Sequence, residues 1–184
     1  MDKSPKLIFL NGPAGVGKTT IAQKYLDTHP LAMNLSGDYL TGMLGQWLTY
    51  ETAARSIVYI QSQILTENHL RSGYTVVVPY LLIREAEAQS FEDIARKCNV
   101  PFYEVLLICE REDAINRLMK RGSWGEPGSP PITAADRPII EDLYDRLLEA
   151  VKKRPHSIVI QSVEGAIEDT YRQFMQAIGE PIAD

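Results

Sequence analysis

The stretch Leu7-Ile8-Phe9-Leu10-Asn11-Gly12-Pro13-Ala14-Gly15-Val16-Gly17-Lys18-Thr19-Thr20 decides how this sequence is read. Leu7 to Asn11 is an apolar run of strand length, and a helical pattern follows from about Lys18 to Asp27. Between them, Gly12 to Thr19 matches G-x-x-x-x-G-K-[ST] in full. A strand, a glycine loop and a helix in that order form a cradle for phosphate. The glycines let successive backbone N–H groups turn inward as an anion nest, and the helix points its positive N-terminal end at the same place.

Outward from this stretch, short apolar runs alternate with longer helical segments, as expected of an α/β domain with a mostly parallel sheet. Strands are predicted at Leu7 to Asn11, Ala32 to Leu35, Thr75 to Val78, Phe102 to Ile108 and Ser157 to Ile160, all five buried. Helices are predicted at Lys18 to Asp27, Glu51 to Arg71, Arg84 to Cys98, Asp113 to Arg121, Pro138 to Lys153 and Ala166 to Ile178. Gly73, Pro101, Gly122, Pro155 and Gly179 fall where elements should stop. The expected architecture is a P-loop NTPase three-layer αβα sandwich: one domain over residues 1–184 with a five-stranded parallel sheet. The run from Gly122 to Pro131 is too rich in Gly and Pro for a helix. A loop this long after an Arg-bearing helix is read as a lid, spanning about residues 117–137.

The motif assigns residues to ATP and Mg²⁺. Gly12, Pro13, Ala14, Gly15, Val16 and Gly17 would wrap the phosphates, and Lys18 would span the β- and γ-phosphates. Thr19 would offer its hydroxyl to Mg²⁺. Thr20 reads first as a helix residue and stands beside the loop as a further nucleotide-contacting candidate. Asp38, in Asn34-Leu35-Ser36-Gly37-Asp38-Tyr39, follows the predicted second strand, and ligands of open α/β sheets sit beyond strand carboxyl ends. It is a candidate general base for an acceptor hydroxyl and a candidate holder of a water on Mg²⁺. The plainer alternative is an N-cap on a helix beginning near Tyr39. Arg117 and Arg121 lie four apart on one helix face and are candidates to clamp phosphate and stabilise the transferring group. A solvated basic face is the alternative, and it is the expected role of Arg111 and Lys120. Arg137 is a third candidate at the far end of the lid.

Composition narrows the function classes. Hydrophobic residues make up 45% and charged residues 23%, the balance of a folded domain. With 19 basic and 24 acidic residues the net charge is −5, which disfavours a nucleic-acid partner. The N-terminus from Met1 to Lys6 has no leader pattern and no run reaches spanning length, so a cytoplasmic protein without membrane contact is expected. Cys98 and Cys109 lack metal-ligand spacing, and His29, His69 and His156 are scattered. Tyr39, Trp47, Tyr50, Tyr59 and Tyr80 are read as core, with an acceptor-pocket lining as the alternative, and Arg84 as a helix-surface residue. The segment from Glu51 to Arg71 would pack on the core or on a second subunit, leaving monomer and homodimer both open.

The P-loop, the acid after the second strand, the Arg-bearing helix and the lid together resemble the nucleoside- and small-molecule-kinase group of P-loop phosphotransferases, including shikimate and gluconate kinases. Leu35-Ser36-Gly37-Asp38-Tyr39 is similar to the corresponding segment of the chloramphenicol phosphotransferase type and of polynucleotide 5′-hydroxyl kinase domains. The resemblance implies ATP as donor, Asp38 as general base, arginines in the lid, and an adenine-contacting loop at Gln161-Ser162-Val163-Glu164, with Ser162 a nucleotide-contacting candidate. Three features depart from the pattern. Leu40 and Thr41 stand where many relatives carry an Arg for substrate phosphate, Val78-Pro79-Tyr80 lacks an acid at the end of the third strand, and the lid with Trp124 is atypical. The expected activity is γ-phosphoryl transfer from ATP to a hydroxyl of a small molecule. One rival is an ATP-binding resistance or regulatory protein acting by sequestration or switching. The other is a nucleic-acid 5′-hydroxyl kinase.

Overall fold

The computed structural model describes residues 4–81 and 83–181; Met1 to Lys3, part of the N-terminal segment read above, lie outside the described residues. Five parallel strands form one sheet in the order β2-β3-β1-β4-β5: β1 Leu7–Asn11, β2 Met33–Asn34, β3 Val76–Tyr80, β4 Phe102–Ile108 and β5 Ile158–Gln161. The helices are α1 Lys18–Thr28, α2 Gly37–Gly42, α3 Glu51–Arg71, α4 Glu85–Lys97, α5 Arg111–Arg121, α6 Arg137–Lys152 and α7 Ile167–Ala177, with a 3-10 turn at Ala134–Asp136. The chain order therefore alternates strand and helix around a central β1.

Side chains of β1 alternate between the two faces, as the pleat requires. Ile8 and Leu10 join Val77, Val105 and Leu107 in a layer covered by Ile21 and Tyr25 of α1 and Phe174 and Met175 of α7. Leu7 and Phe9 join Val76 and Val78 on the other face, under Phe91 and Ile94 of α4 and Leu147 of α6. A smaller cluster of Ile115, Leu118, Ile132 and Ile140 sits beneath the lid, with Ala14 of the P-loop and Trp124 against it.

Two expectations need correction. The five strands are not all buried: β5 exposes Ile158 and Val159 and buries only Ile160 of its apolar residues, and β2 is two half-buried residues long. Both are edge strands, and an edge lacks a neighbour on one side. The helix expected near Tyr39 begins at Gly37, so its N-cap is Ser36, and Asp38 sits in its first turn instead of capping it. Elsewhere α3 covers the predicted span, while Ile57, Ile60 and Ile64 point outward from it. No helix among the described residues is long and apolar enough to cross a membrane.

Candidate active site

At the carboxyl end of β1 the backbone turns at Gly12 with φ 151°. The turn passes so close to β4 that a Cβ on Gly12 would lie 2.4 Å from the Leu107 carbonyl oxygen. Backbone cannot yield there, so only glycine fits, and the loop is pinned to the central strands. Lys18 opens α1 and donates from Nζ to the carbonyls of Gly12 (2.7 Å) and Pro13 (2.9 Å), folding its ammonium back over the loop. Burial pulls its pKa down to about 8; Asp38 opposes that fall and Arg121 adds to it. Thr19 and Thr20 are exposed in the first turn of α1. Glycine cradle, ammonium and free-standing hydroxyl fit a magnesium nucleotide: phosphates on the nest and Lys18, the metal at Thr19.

Across the crevice, β2 runs into Ser36 and α2 and delivers Asp38. Desolvation of its carboxyl end raises its pKa first, and the neighbouring Glu126 carboxylate raises it further. Lys18, Arg121 and Arg55 pull the other way. Asp38, Lys18 and Arg121 thus act on one another although 20 and 83 residues of sequence separate Asp38 from the two cations (38 − 18 = 20 and 121 − 38 = 83).

The two lid arginines have different surroundings. Arg121 donates from Nε to the Ser123 carbonyl (2.8 Å) and from one terminal nitrogen to the Trp124 carbonyl (2.9 Å), holding the first turn of the lid. Arg117 points toward the loop after β5, donating to Ser162 Oγ (3.4 Å) and to the Ser162 carbonyl (3.3 Å). Its Nε is buried without a hydrogen-bond partner. Ser162 is itself tied to the P-loop, its hydroxyl donating to the Val16 carbonyl at 2.8 Å. Arg117 and Ser162 therefore flank the nucleotide cradle, while Arg121 belongs to the lid and Asp38.

Arg137 stands apart from this group: it pairs with Glu112 (2.7 Å) and Glu141 (2.8 Å) beyond the lid. Its guanidinium pairs with carboxylates of α5 and α6. Arg111 forms surface pairs with Asp145 and Glu141, and Lys120 with Glu164. Of the aromatics, Trp47 is buried under the lid, Tyr39 and Tyr50 are exposed, and Tyr59 and Tyr80 are half-buried. Tyr80 packs on Phe9 and Phe91.

Three participants, Glu126, Arg55 and Glu87, escaped the sequence reading. Glu126 is buried in the lid, 9% exposed, and Arg55 of α3 reaches it at 3.4 Å. Trp47 donates its indole N–H to the Pro127 carbonyl at 3.1 Å. The one local signal was an acid set between Gly125 and Pro127 in an otherwise uncharged loop. Glu87, in the first turn of α4, is the second acid after β3, following the exposed Glu85; burial raises its pKa, and its Oε2 has no hydrogen-bond partner. An open hollow of about 440 Å³ lies at the opposite end of the strands, by Pro5, Gly73 and Pro101, away from all of these groups.

Similarity to known proteins agrees with this geometry. A family model described as AAA domain matches residues 7–136. No curated protein matches the chain. Among solved structures, the tunicamycin resistance protein of Deinococcus radiodurans is 16% identical, with a TM-score of 0.65 and 99% of each chain covered. Thymidylate kinase from Candida albicans is 14% identical, with a TM-score of 0.59 and coverage of 98% of this chain and 96% of that one. A chain of the Pnkp1/Rnl/Hen1 RNA repair complex is 15% identical at a TM-score of 0.61, matching 85% of this chain and 48% of its own length. At such identities these likenesses show a shared fold.

Proposed function

The chain belongs to the AAA-domain family, and from that premise we propose that it is an ATP-dependent phosphotransferase moving the γ-phosphoryl group to a hydroxyl of a small molecule. The observation that carries the reading is the convergence of one carboxyl, Asp38, with two cations, Lys18 and Arg121, beside the glycine loop. The loop N–H groups and Lys18 hold the β- and γ-phosphates. Thr19, with Asp38 acting through water, would hold Mg²⁺, which offsets phosphate charge when bound. Asp38 accepts the proton of the acceptor hydroxyl as its oxygen bonds to the γ-phosphorus and the bond to the β–γ bridging oxygen breaks. ADP and a phosphate ester leave. Arg121 lies on the lid side of Asp38, where negative charge on the transferring group needs a cation. Arg117 and Ser162 flank the base-binding side of the nucleotide.

A small acceptor is favoured by the net charge of −5, and one that carries no phosphate of its own by the absence of an Arg at Leu40 or Thr41. The fold shared with a tunicamycin resistance protein and a thymidylate kinase is compatible with an acceptor of that size. A second reading, ATP binding used for sequestration or switching, draws on the end of β3, where Val78-Pro79-Tyr80 brings no acid toward the phosphates. Asp38→Asn tests the first reading. A kinase keeps its MgATP affinity within about twofold and loses about 10²- to 10⁴-fold in transfer rate. Transfer surviving at the original rate removes Asp38 as the base.

A further inference from the structure

A helix resting on a domain normally turns its apolar stripe inward and its polar face to water. Over its middle turns α3 does the reverse. Its buried residues are Ala54, Val58, Ser62, Thr66 and Leu70, so two hydroxyl side chains face the protein interior. Toward solvent it presents Ile57, Ile60 and Ile64, which are 46%, 56% and 49% exposed. Among the described residues no other helix exposes more than one large apolar side chain: Tyr39 on α2 and Ile139 on α6.

The three isoleucines are spaced three and four residues apart, so they form one ridge along the helix. From Ser56 to Thr66 the helix has no charged residue, and the exposed neighbours of the ridge in that span are Ser56 and Gln61. An apolar centre stripped of charge has the composition of an interface core. A helix that lies on a lipid surface sets lysines and arginines beside its apolar stripe, and α3 has neither between Arg55 and Arg71. A two-fold contact, by contrast, must let each residue near the axis meet its own kind, which isoleucine and glutamine tolerate and charge does not.

The ends of the helix fix the direction. Sign alternates along them, with Glu51 and Arg55 before the ridge and Glu67 and Arg71 after it. Turned end over end about the middle of the ridge, Glu51 comes level with Arg71 of the second copy, and Arg55 with its Glu67. Laid in the same direction, each would come level with its own like, and the two helix dipoles would also be parallel.

We propose that α3 is a homodimer interface, in which two copies pack end over end along Ile57, Ile60 and Ile64 about a two-fold axis near Ile60. The ridge and its surroundings offer roughly half of the ~800 Å² per partner of a standard interface, so the association belongs in the micromolar range. The inference does not depend on the chemistry of the crevice.

Sedimentation equilibrium of the full chain over about 1–500 µM spans the expected range. Wild type should pass from monomer to dimer across it. Ile60→Glu and Ile60→Lys change an exposed side chain, and circular dichroism checks that the fold is kept. Each variant sets two like charges near the axis and should weaken association at least about tenfold, whereas an equal mixture of the two sets opposite charges there and should restore it to within about threefold. Ile57→Ser with Ile64→Ser removes the ridge without adding charge and serves if the first variants fold poorly. Arg71→Glu should weaken the dimer about threefold at low salt and less at high salt. A wild-type monomer at every concentration overturns the proposal, and flotation of that monomer with phosphatidylcholine vesicles, lost in Ile60→Glu, would give the face to a lipid surface instead. A dimer that survives every isoleucine variant overturns the assignment to α3. A mixture that stays monomeric overturns the two-fold packing about Ile60, and an Arg71→Glu dimer of wild-type strength overturns the end-over-end direction.

Discussion

Lys18→Met should make the protein more stable without nucleotide while destroying its response to ATP. The lysine is pulled from 10.5 to about 8 mainly by desolvation. Holding it protonated at pH 7 costs about 3 kcal/mol at the upper bound. Its two hydrogen bonds to the Gly12 and Pro13 carbonyls, at 2.7 and 2.9 Å, offset part of that. Methionine keeps the aliphatic stem and drops the charge, so a net gain of about 1–2 kcal/mol follows, or roughly 2–8 °C in Tm for a chain of this size. The pH dependence has a definite sign. Between about 8 and 10.5 the unfolded chain binds more protons at this lysine than the folded one, so wild-type stability rises with pH across that window. The advantage of Lys18→Met should therefore shrink to nothing by pH 10.5. Thermal unfolding by circular dichroism at pH 7 and pH 10.5, with and without MgATP, measures all of this. A variant less stable than wild type at pH 7, or an advantage that persists at pH 10.5, refutes the reasoning. So does undiminished stabilisation of the variant by MgATP, since the missing charge should lose about 2–4 kcal/mol of binding.

Glu87 has the opposite sign. Its raised pKa and unpartnered Oε2 mean that folding is favoured below the unfolded value and penalised as pH rises through the folded one. Glu87→Gln should add about 0.5–1 kcal/mol at pH 7, discounted for its partial contact with solvent, and nothing at pH 4; paired urea titrations decide it. Glu180 accepts from Tyr25 (2.9 Å) and pairs with Lys6 (2.7 Å) and His29 (2.6 Å) below the sheet. Glu180→Ala should lower stability by about 3–5 kcal/mol, because it leaves a buried lysine unpaired, and calorimetry would show it. Gly42→Ala should push Pro127 off α2 and raise proteolytic nicking between Gly122 and Pro131 at least severalfold, with no change in MgATP affinity measured by calorimetry.

What was legible in the sequence was what is locally encoded. β1 and β4 have the predicted spans, Leu7–Asn11 and Phe102–Ile108, because both central strands are dominated by apolar residues, with Glu104 the one charged residue in either. α3 runs over its predicted span for a similar reason: twenty-one residues give the period many turns in which to show. The edges were misread. Ile158-Val159-Ile160 looks like a buried strand by residue type, yet burial is conferred by neighbours, and β5 has a strand on one side only. α2, at six residues, is too short for periodicity to fix its start.

The site divides along the same line. The nest and Lys18 come from contiguous residues and could be read directly. Arg117, Arg121 and Arg137 were alike on paper, and tertiary partners distinguish them: the Ser162 loop, the lid carbonyls and two glutamates. Glu126 and Arg55 are 71 residues apart, and Trp47 and Pro127 are 80 apart, so no spacing rule announces their meeting.

The central claim is transfer of a phosphoryl group, and the most direct measurement follows the phosphate. Protein with MgATP labelled at the γ-phosphate is offered nucleosides, sugars, hydroxylated antibiotics and short 5′-hydroxyl oligonucleotides, and each compound is weighed by mass spectrometry. The account predicts that one class of small molecule gains the labelled phosphate, in equal amount to the ADP formed and at a rate far above acceptor-free hydrolysis. Label appearing only as inorganic phosphate, at one slow rate across the whole panel, would contradict it.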